Sequence, residues 1–204
     1  MSMRVGILRY GVGNIGSLVN AFKRLGADVE ILEDSNQLKN VDLLVLPGVG
    51  SFDAAIKYID EKVPEVRKIA GSVPVLGICL GMQIMFEESE EGTLRGLCWF
   101  SGKVKLLKSY KIPHIGWNTI SRVRDSPVLE NIPDGSYFYF AHSYCVYYSE
   151  NVTVARAVTT FDETTFVSVL ADEEKCIFGT QFHPERSSKP GLQFLRNVLK
   201  MCTR

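Results

Sequence analysis

Val75-Leu76-Gly77-Ile78-Cys79-Leu80-Gly81-Met82-Gln83 is a short apolar run, opened by Pro74, that breaks at a cysteine held between two glycines. The run has the length and composition of a fully buried strand, and Leu80 to about Glu88 reads as the helix that follows it. This is the G-x-nucleophile-x-G turn with cysteine in place of serine. A strand that turns sharply into a helix leaves no room for β-carbons beside the nucleophile, which explains Gly77 and Gly81. The turn would lift the sulfur out of the sheet to a helix N-terminus, where unpaired N–H groups and the macrodipole favour thiolate. Cysteine is also one of the most buried residue types, so a packing thiol is the competing reading. The rest of the chain has to decide between them.

Outward from this stretch the apolar runs alternate with helical patterns. Arg4-Val5-Gly6-Ile7-Leu8 is a short strand, followed by a helix through Leu18, Ala21, Phe22 and Leu25 that Gly26 stops. Val29 to Leu32 and Leu43 to Leu46 are two more strands, the second ending in Pro47-Gly48-Val49-Gly50. Ser51 can cap the next helix, whose apolar face holds Ala55, Ile56 and Ile59. Strands and helices alternating at this spacing imply right-handed crossovers and a mostly parallel sheet. After Gly92 the texture changes to short strands with little helix: Val104–Leu107, Tyr137–Phe140, Val154–Val158, Phe166–Leu170 and Cys176–Phe182. These read as partly antiparallel strands packed beside the parallel layer. An amphipathic helix from about Gly191 to Met201 closes the chain. No repeat or linker divides residues 1–204, so one domain is expected.

Composition narrows the function classes. The 204 residues are 46% hydrophobic and 23% charged, with 23 Lys+Arg against 23 Asp+Glu. That balance gives no electrostatic argument for nucleic acid or an anionic membrane. No apolar run approaches the ~20 residues of a membrane span. The N-terminus lacks the apolar core and cleavage site of a signal peptide. Cys79, Cys98, Cys145, Cys176 and Cys202 are odd in number and scattered, which suits reduced thiols in a cytoplasmic protein. With three histidines, metal ligands are few, and no metal or cofactor is expected.

Gly11-Val12-Gly13-Asn14-Ile15-Gly16 matches G-x-G-x-x-G after a strand and before a helix, with Glu30 and Glu33 at suitable distances. A dinucleotide-binding module is therefore an alternative of a different class. Against it, the acidic residue should end the second strand, whereas Glu30 lies within the run and Glu33 just past it. Any tight βα turn also uses glycines.

A thiolate nucleophile needs a base, and the base an orienting group. His183 is delivered by the strand Ile177 to Phe182 and is followed by Pro184 and Glu185. If the backbone stays extended, as Pro184 favours, His183 and Glu185 leave on one face. A carboxylate there would fix the imidazole tautomer and stabilise imidazolium. His142, at the end of an aromatic strand, is a second catalytic or pocket candidate, and His114 lies in a loop-like stretch suggesting surface or interface. Acyl chemistry also needs oxyanion donors. The Leu80 N–H is one, and the Gly48-Val49-Gly50 loop, at the carboxyl end of a neighbouring strand, suits the second.

Pro47-Gly48-Val49-Gly50, Gly77-Ile78-Cys79-Leu80-Gly81-Met82-Gln83 and Gly179-Thr180-Gln181-Phe182-His183-Pro184-Glu185 together resemble the class I (triad) glutamine amidotransferases over nearly the full length. Tyr10-Gly11-Val12-Gly13-Asn14, Pro113-His114-Ile115-Gly116-Trp117-Asn118, His142-Ser143-Tyr144 and Arg186-Ser187-Ser188-Lys189 resemble one branch, the glutaminase subunits of imidazole glycerol phosphate synthases. The residue after the triad glutamate is usually lysine there; Arg186 keeps the charge as a planar fork. The resemblance implies a three-layer α/β fold, with helices on both sides of the sheet and added antiparallel strands in the C-terminal half. It implies Cys79, His183 and Glu185 as catalytic residues. Leu80, Gly48, Val49 and Gly50 would serve the oxyanion, and Gln83, Ser143, Tyr144 and Gly50 the substrate glutamine. It further implies a heterodimer with a (β/α)₈-barrel cyclase subunit that takes ammonia through a channel and forms imidazole glycerol phosphate and aminoimidazole carboxamide ribotide in histidine biosynthesis. Asn14, Trp117, Asn118 and Arg186 would lie at or near that interface. A glutaminase subunit of a different ammonia-using synthase is the nearer alternative.

Overall fold

The computed structural model describes residues 2–10 and 15–203. Gly11 to Asn14, which hold most of the glycine-rich turn and one expected interface residue, lie outside the described residues. In chain order the elements are β1 (Arg4–Leu8), α1 (Gly16–Arg24), β2 (Asp28–Leu32), β3 (Leu43–Leu46), α2 (Phe52–Lys62), β4 (Val75–Ile78) and α3 (Leu80–Gln83). There follow β5 (Glu88–Ser89), β6 (Lys103–Leu106), β7 (His114–Thr119), β8 (Ser121–Arg122), β9 (Tyr137–His142) and β10 (Tyr144–Val146). The chain finishes with β11 (Ala155–Phe161), β12 (Thr164–Asp172), β13 (Ile177–Thr180) and α4 (Ser188–Met201).

Eight strands form one sheet in the order β2-β1-β3-β4-β13-β12-β11-β8. From β2 to β13 every pairing is parallel; from β13 to β8 every pairing is antiparallel. Of the strands expected beside the parallel layer, those at residues 154–158, 166–170 and 176–182 extend the same sheet, and those at 104–107 and 137–140 lie in smaller sheets of their own. The short connection from β12 to β13 dictates their antiparallel pairing, because a tight turn can only join antiparallel neighbours. All residues of β3, β4 and β13 are buried, as strands covered on both faces must be. One cover is α1 with α4, through Leu18, Phe22, Phe194 and Leu195; the other is α2, through Phe52, Ala55, Ile56 and Ile59. The three-layer α/β arrangement read from the sequence is thus present. Two smaller sheets, β10-β6-β5 and the β7-β9 ribbon, complete it.

Two local readings are corrected. Ser51 occupies the cap position of α2, but its side chain makes no cap bond. The Phe52 N–H is instead met by Glu91 Oε2 at 3.0 Å, and Asp53 in the first turn accepts from the N–H groups of Thr93 and Leu94. A long-range carboxylate at a helix start satisfies the same orphan donors as a local cap, with added charge. The helix after Cys79 is the second. It ends at Gln83 instead of running to Glu88. The carbonyls of Ile84, Met85 and Phe86 accept from Leu97, Trp99 and Cys98 N–H, so a tertiary partner takes the groups that further helical turns would need.

Candidate active site

Cys79 is the residue between β4 and α3, with φ 51° and ψ −108°. A non-glycine residue in that region costs on the order of 1–3 kcal/mol and persists only when its surroundings hold it. They do so on both sides. Cys79 N–H donates to Thr180 O of β13, and Cys79 O accepts from Met82 and Gln83 N–H. A β-carbon on Gly81 would stand 1.9 Å from Leu46 O, and one on Gly77 would stand 2.5 Å from Gly81 O. The elbow fits only because both positions lack side chains. Leu80 N–H, the first of α3, precedes the helical hydrogen bonds and lies beside the sulfur's pocket.

The second expected donor region is equally close. A β-carbon on Gly48 would meet Cys79 Cβ at 2.8 Å and His183 Cε1 at 3.0 Å. Gly48 therefore packs against both Cys79 and the His183 ring. The loop separates two cavities. One of about 270 Å³ is lined by Gly50, Cys79, Leu80, Gln83, Ser143 and Tyr144. The other, about 440 Å³, is lined by Val49, Ile78, His183, Glu185 and Arg186. Gly48 belongs to both. Every residue expected to hold a glutamine thus borders the Cys79 cavity. The loop is anchored from below: the buried Tyr10 hydroxyl donates to Pro47 O at 2.5 Å, and burial pushes that phenol well above its ordinary value.

His183 and Glu185 meet by a route other than the expected one. The backbone does not stay extended: Pro184–Arg186 form a short 3-10 turn, with proline at its first position. Within that turn His183 Nδ1 and Glu185 Oε1 are 2.9 Å apart, both side chains about 10% exposed. His183 is tied down by its N–H to Tyr139 O at 2.9 Å and by Ser187 Oγ on its carbonyl at 2.6 Å. Burial opposes charge on this ring. Its contacts with Cys79 and with Glu185 outweigh burial and push it up to about 10. At neutral pH the ring is therefore imidazolium, pointing one way to a carboxylate and the other to the sulfur.

The other two histidines pack together, and one of them is not where the sequence suggested. His114 is on β7, buried, stacked on Phe140 and Phe161 with centroids 4.9 and 4.0 Å apart. The alternation of β7 turns His114 inward and leaves Ile115 and Trp117 exposed. Its partner across the ribbon is His142. Burial drives His142 down to about 3, and His114 to about 4. Both rings are neutral, so their tautomers follow from their neighbours. His142 Nδ1 lies 2.9 Å from Tyr144 O and must donate. Its Nε2 then accepts from His114 Nδ1 at 3.3 Å, and His114 Nε2 faces the Asn118 amide at 3.4 Å. His142 lines the pocket but has no free proton to exchange at neutral pH.

The expected interface residues divide. Arg186 lies over the Tyr139 ring at 4.1 Å and Trp117 meets the same ring edge-on at 6.1 Å. Asn118, on the other face of β7, turns toward His114. Among the described residues, no group of three or more His, Cys, Asp or Glu side chains converges as a metal site would. No helix among them is long and apolar enough to cross a membrane.

Such a site, a buried Cys–His–Glu constellation on a strained elbow at the carboxyl end of a parallel sheet, is the arrangement a cysteine-nucleophile amide-transfer enzyme requires. Residues 7–202 match the model of the family "Glutamine amidotransferase class-I", and the chain belongs to that family. Among its relatives, the "Imidazole glycerol phosphate synthase subunit HisH" of Methanopyrus kandleri is 43% identical over 99% of this chain and 100% of its own length. The protein of the same name from Caldanaerobacter subterraneus is 41% identical over 97% of this chain and 98% of its own. Of solved structures, a putative GMP synthase protein from Thermoplasma acidophilum superposes with a TM-score of 0.77 at 22% identity, covering 100% of this chain and 95% of that one. That likeness speaks for the fold alone.

Proposed function

We propose that this chain is the glutaminase subunit of an imidazole glycerol phosphate synthase, acting in histidine biosynthesis as one amidotransferase domain over residues 1–204. Cys79 Sγ attacks the side-chain carboxamide carbon of glutamine and forms a tetrahedral intermediate. Its oxyanion is held by the Leu80 N–H and by N–H groups of the Gly48-Val49-Gly50 loop. His183 hands its proton to the leaving nitrogen, so ammonia departs and a γ-glutamyl thioester remains. Water, losing a proton to His183, hydrolyses the thioester to glutamate and frees the thiolate. Glu185 keeps the ring oriented and its charge matched in both steps. Gln83, Ser143 and Tyr144 hold the substrate.

The observation that carries this reading is the Cys79–His183–Glu185 arrangement in a chain about 40% identical, end to end, to subunits named for that synthase. The cavity on the His183 side of Gly48 supports delivery of ammonia toward a partner. That partner would be a (β/α)₈-barrel cyclase, docked where Trp117 and Arg186 meet at Tyr139, with Asn14 and Asn118 near the contact. Five free cysteines suit a cytoplasmic protein. The test is glutamate release from glutamine with and without the cyclase partner and its nucleotide substrate. Activity should appear with the complex and vanish in Cys79→Ala. Full activity in Cys79→Ala would overturn the reading.

A further inference from the structure

Gln181 is fully buried two residues before His183, and its backbone N–H donates to Ser168 O at 3.0 Å. Its side chain reaches the nucleophile: Nε2 is 3.5 Å from Cys79 Sγ. The direction of that amide is settled by its neighbours. Tyr144 O can only accept, so Gln83, at 2.7 Å, must present its NH₂ group there. The same NH₂ group lies 3.2 Å from the Gln181 side chain, which must therefore present Oε1. Gln181 Nε2 is left facing the sulfur, with an N–H to donate.

We propose that Gln181 is a further catalytic group, whose amide donates to the Cys79 sulfur, and that Gln83 is the positioning residue that turns it. The inference rests on reading Cys79 as the nucleophile. The sulfur's surroundings give the donor its purpose. As a thiol, Sγ can donate to Ala141 O at 3.8 Å. As a thiolate it has no proton for that carbonyl and faces the negative end of its dipole. A buried anion in this position needs donors, and a hydrogen bond to a charged acceptor is about twice as strong as a neutral one. His183 supplies one from one side, and the Gln181 amide a second that carries no charge and does not titrate. It can stay on the sulfur while His183 gives its proton to ammonia and recovers it from water. Both amide hydrogens of Gln83 are already committed, so its Oε1 alone remains for a substrate.

The test is the rate at which iodoacetamide alkylates Cys79 in protein without glutamine, followed on the Cys79 peptide by mass spectrometry. Gln181→Met keeps volume and removes the donor; Gln83→Met leaves Gln181 in place but unoriented. At pH 7 we expect alkylation roughly fivefold to tenfold slower in Gln181→Met and a smaller slowing in Gln83→Met, with the deficit shrinking as the pH is raised past the ordinary thiol range. A Gln181→Met rate within twofold of the natural chain overturns the proposal. So does a deficit that persists undiminished at high pH, the sign of a displaced cysteine. If Gln181→Met does not fold, as its thermal transition will show, Gln83→Met is held to the same two criteria. Because no glutamine is present, this result stands apart from the glutaminase assay, whose failure would be visible in the natural chain.

Discussion

His183 and the pair His114–His142 are all nearly excluded from water, yet the first ring is held charged and the other two neutral. His183 has Glu185 at 2.9 Å and is held at about 10. His142 has a carbonyl, another imidazole and aromatic rings around it, and sits at about 3. Burial acts on both in the same direction, disfavouring charge. What separates them is whether anionic partners lie within hydrogen-bond reach. The fold therefore holds a proton on the ring beside Glu185 and keeps protons off the histidine that lines the Cys79 cavity.

The sharpest way to break this contrast is to remove its charged member. His183→Asn should lower glutamine turnover about 10³-fold or more, read as glutamate release by the complex. Loss of the same order in His142→Asn would show that the two sites are not functionally distinct. Glu185→Gln makes His183 resemble His142 by replacing the carboxylate with a neutral amide. Turnover should drop about 10²–10³-fold, and the ring should titrate well below its present value of about 10 in an NMR titration.

The neutral pair predicts an acid limb in stability. His142 has a folded value of about 3 against 6.5 unperturbed. Between those values the unfolded chain binds more protons, so stability is complete above about 6.5 and falls as pH drops toward 3. The loss from His142 should be roughly 1.4 kcal/mol per pH unit, measured by urea unfolding from pH 6.5 to 4.5. His142→Asn should flatten that slope. The smallest expected effect sharpens the comparison from the other side. Asn118→Asp puts a carboxylate next to His114, at the 3.4 Å contact. His114 should then titrate about one unit or more above its present value of about 4, with little change in turnover.

Much of this was legible in the sequence because it depends on local chemistry. The G-x-Cys-x-G elbow, the buried parallel strands and the glycine loop after β3 are patterns in which neighbouring residues answer one geometric demand. The histidine pair was not legible. His114 stands in a stretch with no clear alternation, Ile115-Gly116-Trp117-Asn118, and only pairing with β9 makes it a strand that turns the ring inward. The length of α3 was hidden for a related reason: N–H groups from Leu97 to Phe100 take the carbonyls of residues 84–86 that a longer helix would use. The role of Gln181 depends on Gln83, 98 positions away. Alternation could have flagged a buried amide there as unusual, but not what it touches.

The sequence by itself determined the α/β class, the glycine-flanked place of Cys79 between strand and helix, and the proximity of His183 to Glu185, since residues two apart meet in a turn as readily as in a strand. The tertiary structure alone decided how those groups are charged and aimed. It set β13 beside β4, so that His183 arrives at Cys79 with Gly48 packed against both, and closed β7 on β9, so that two histidines lost their protons. Charge state depends on what surrounds a group in space, and a linear pattern carries no record of that.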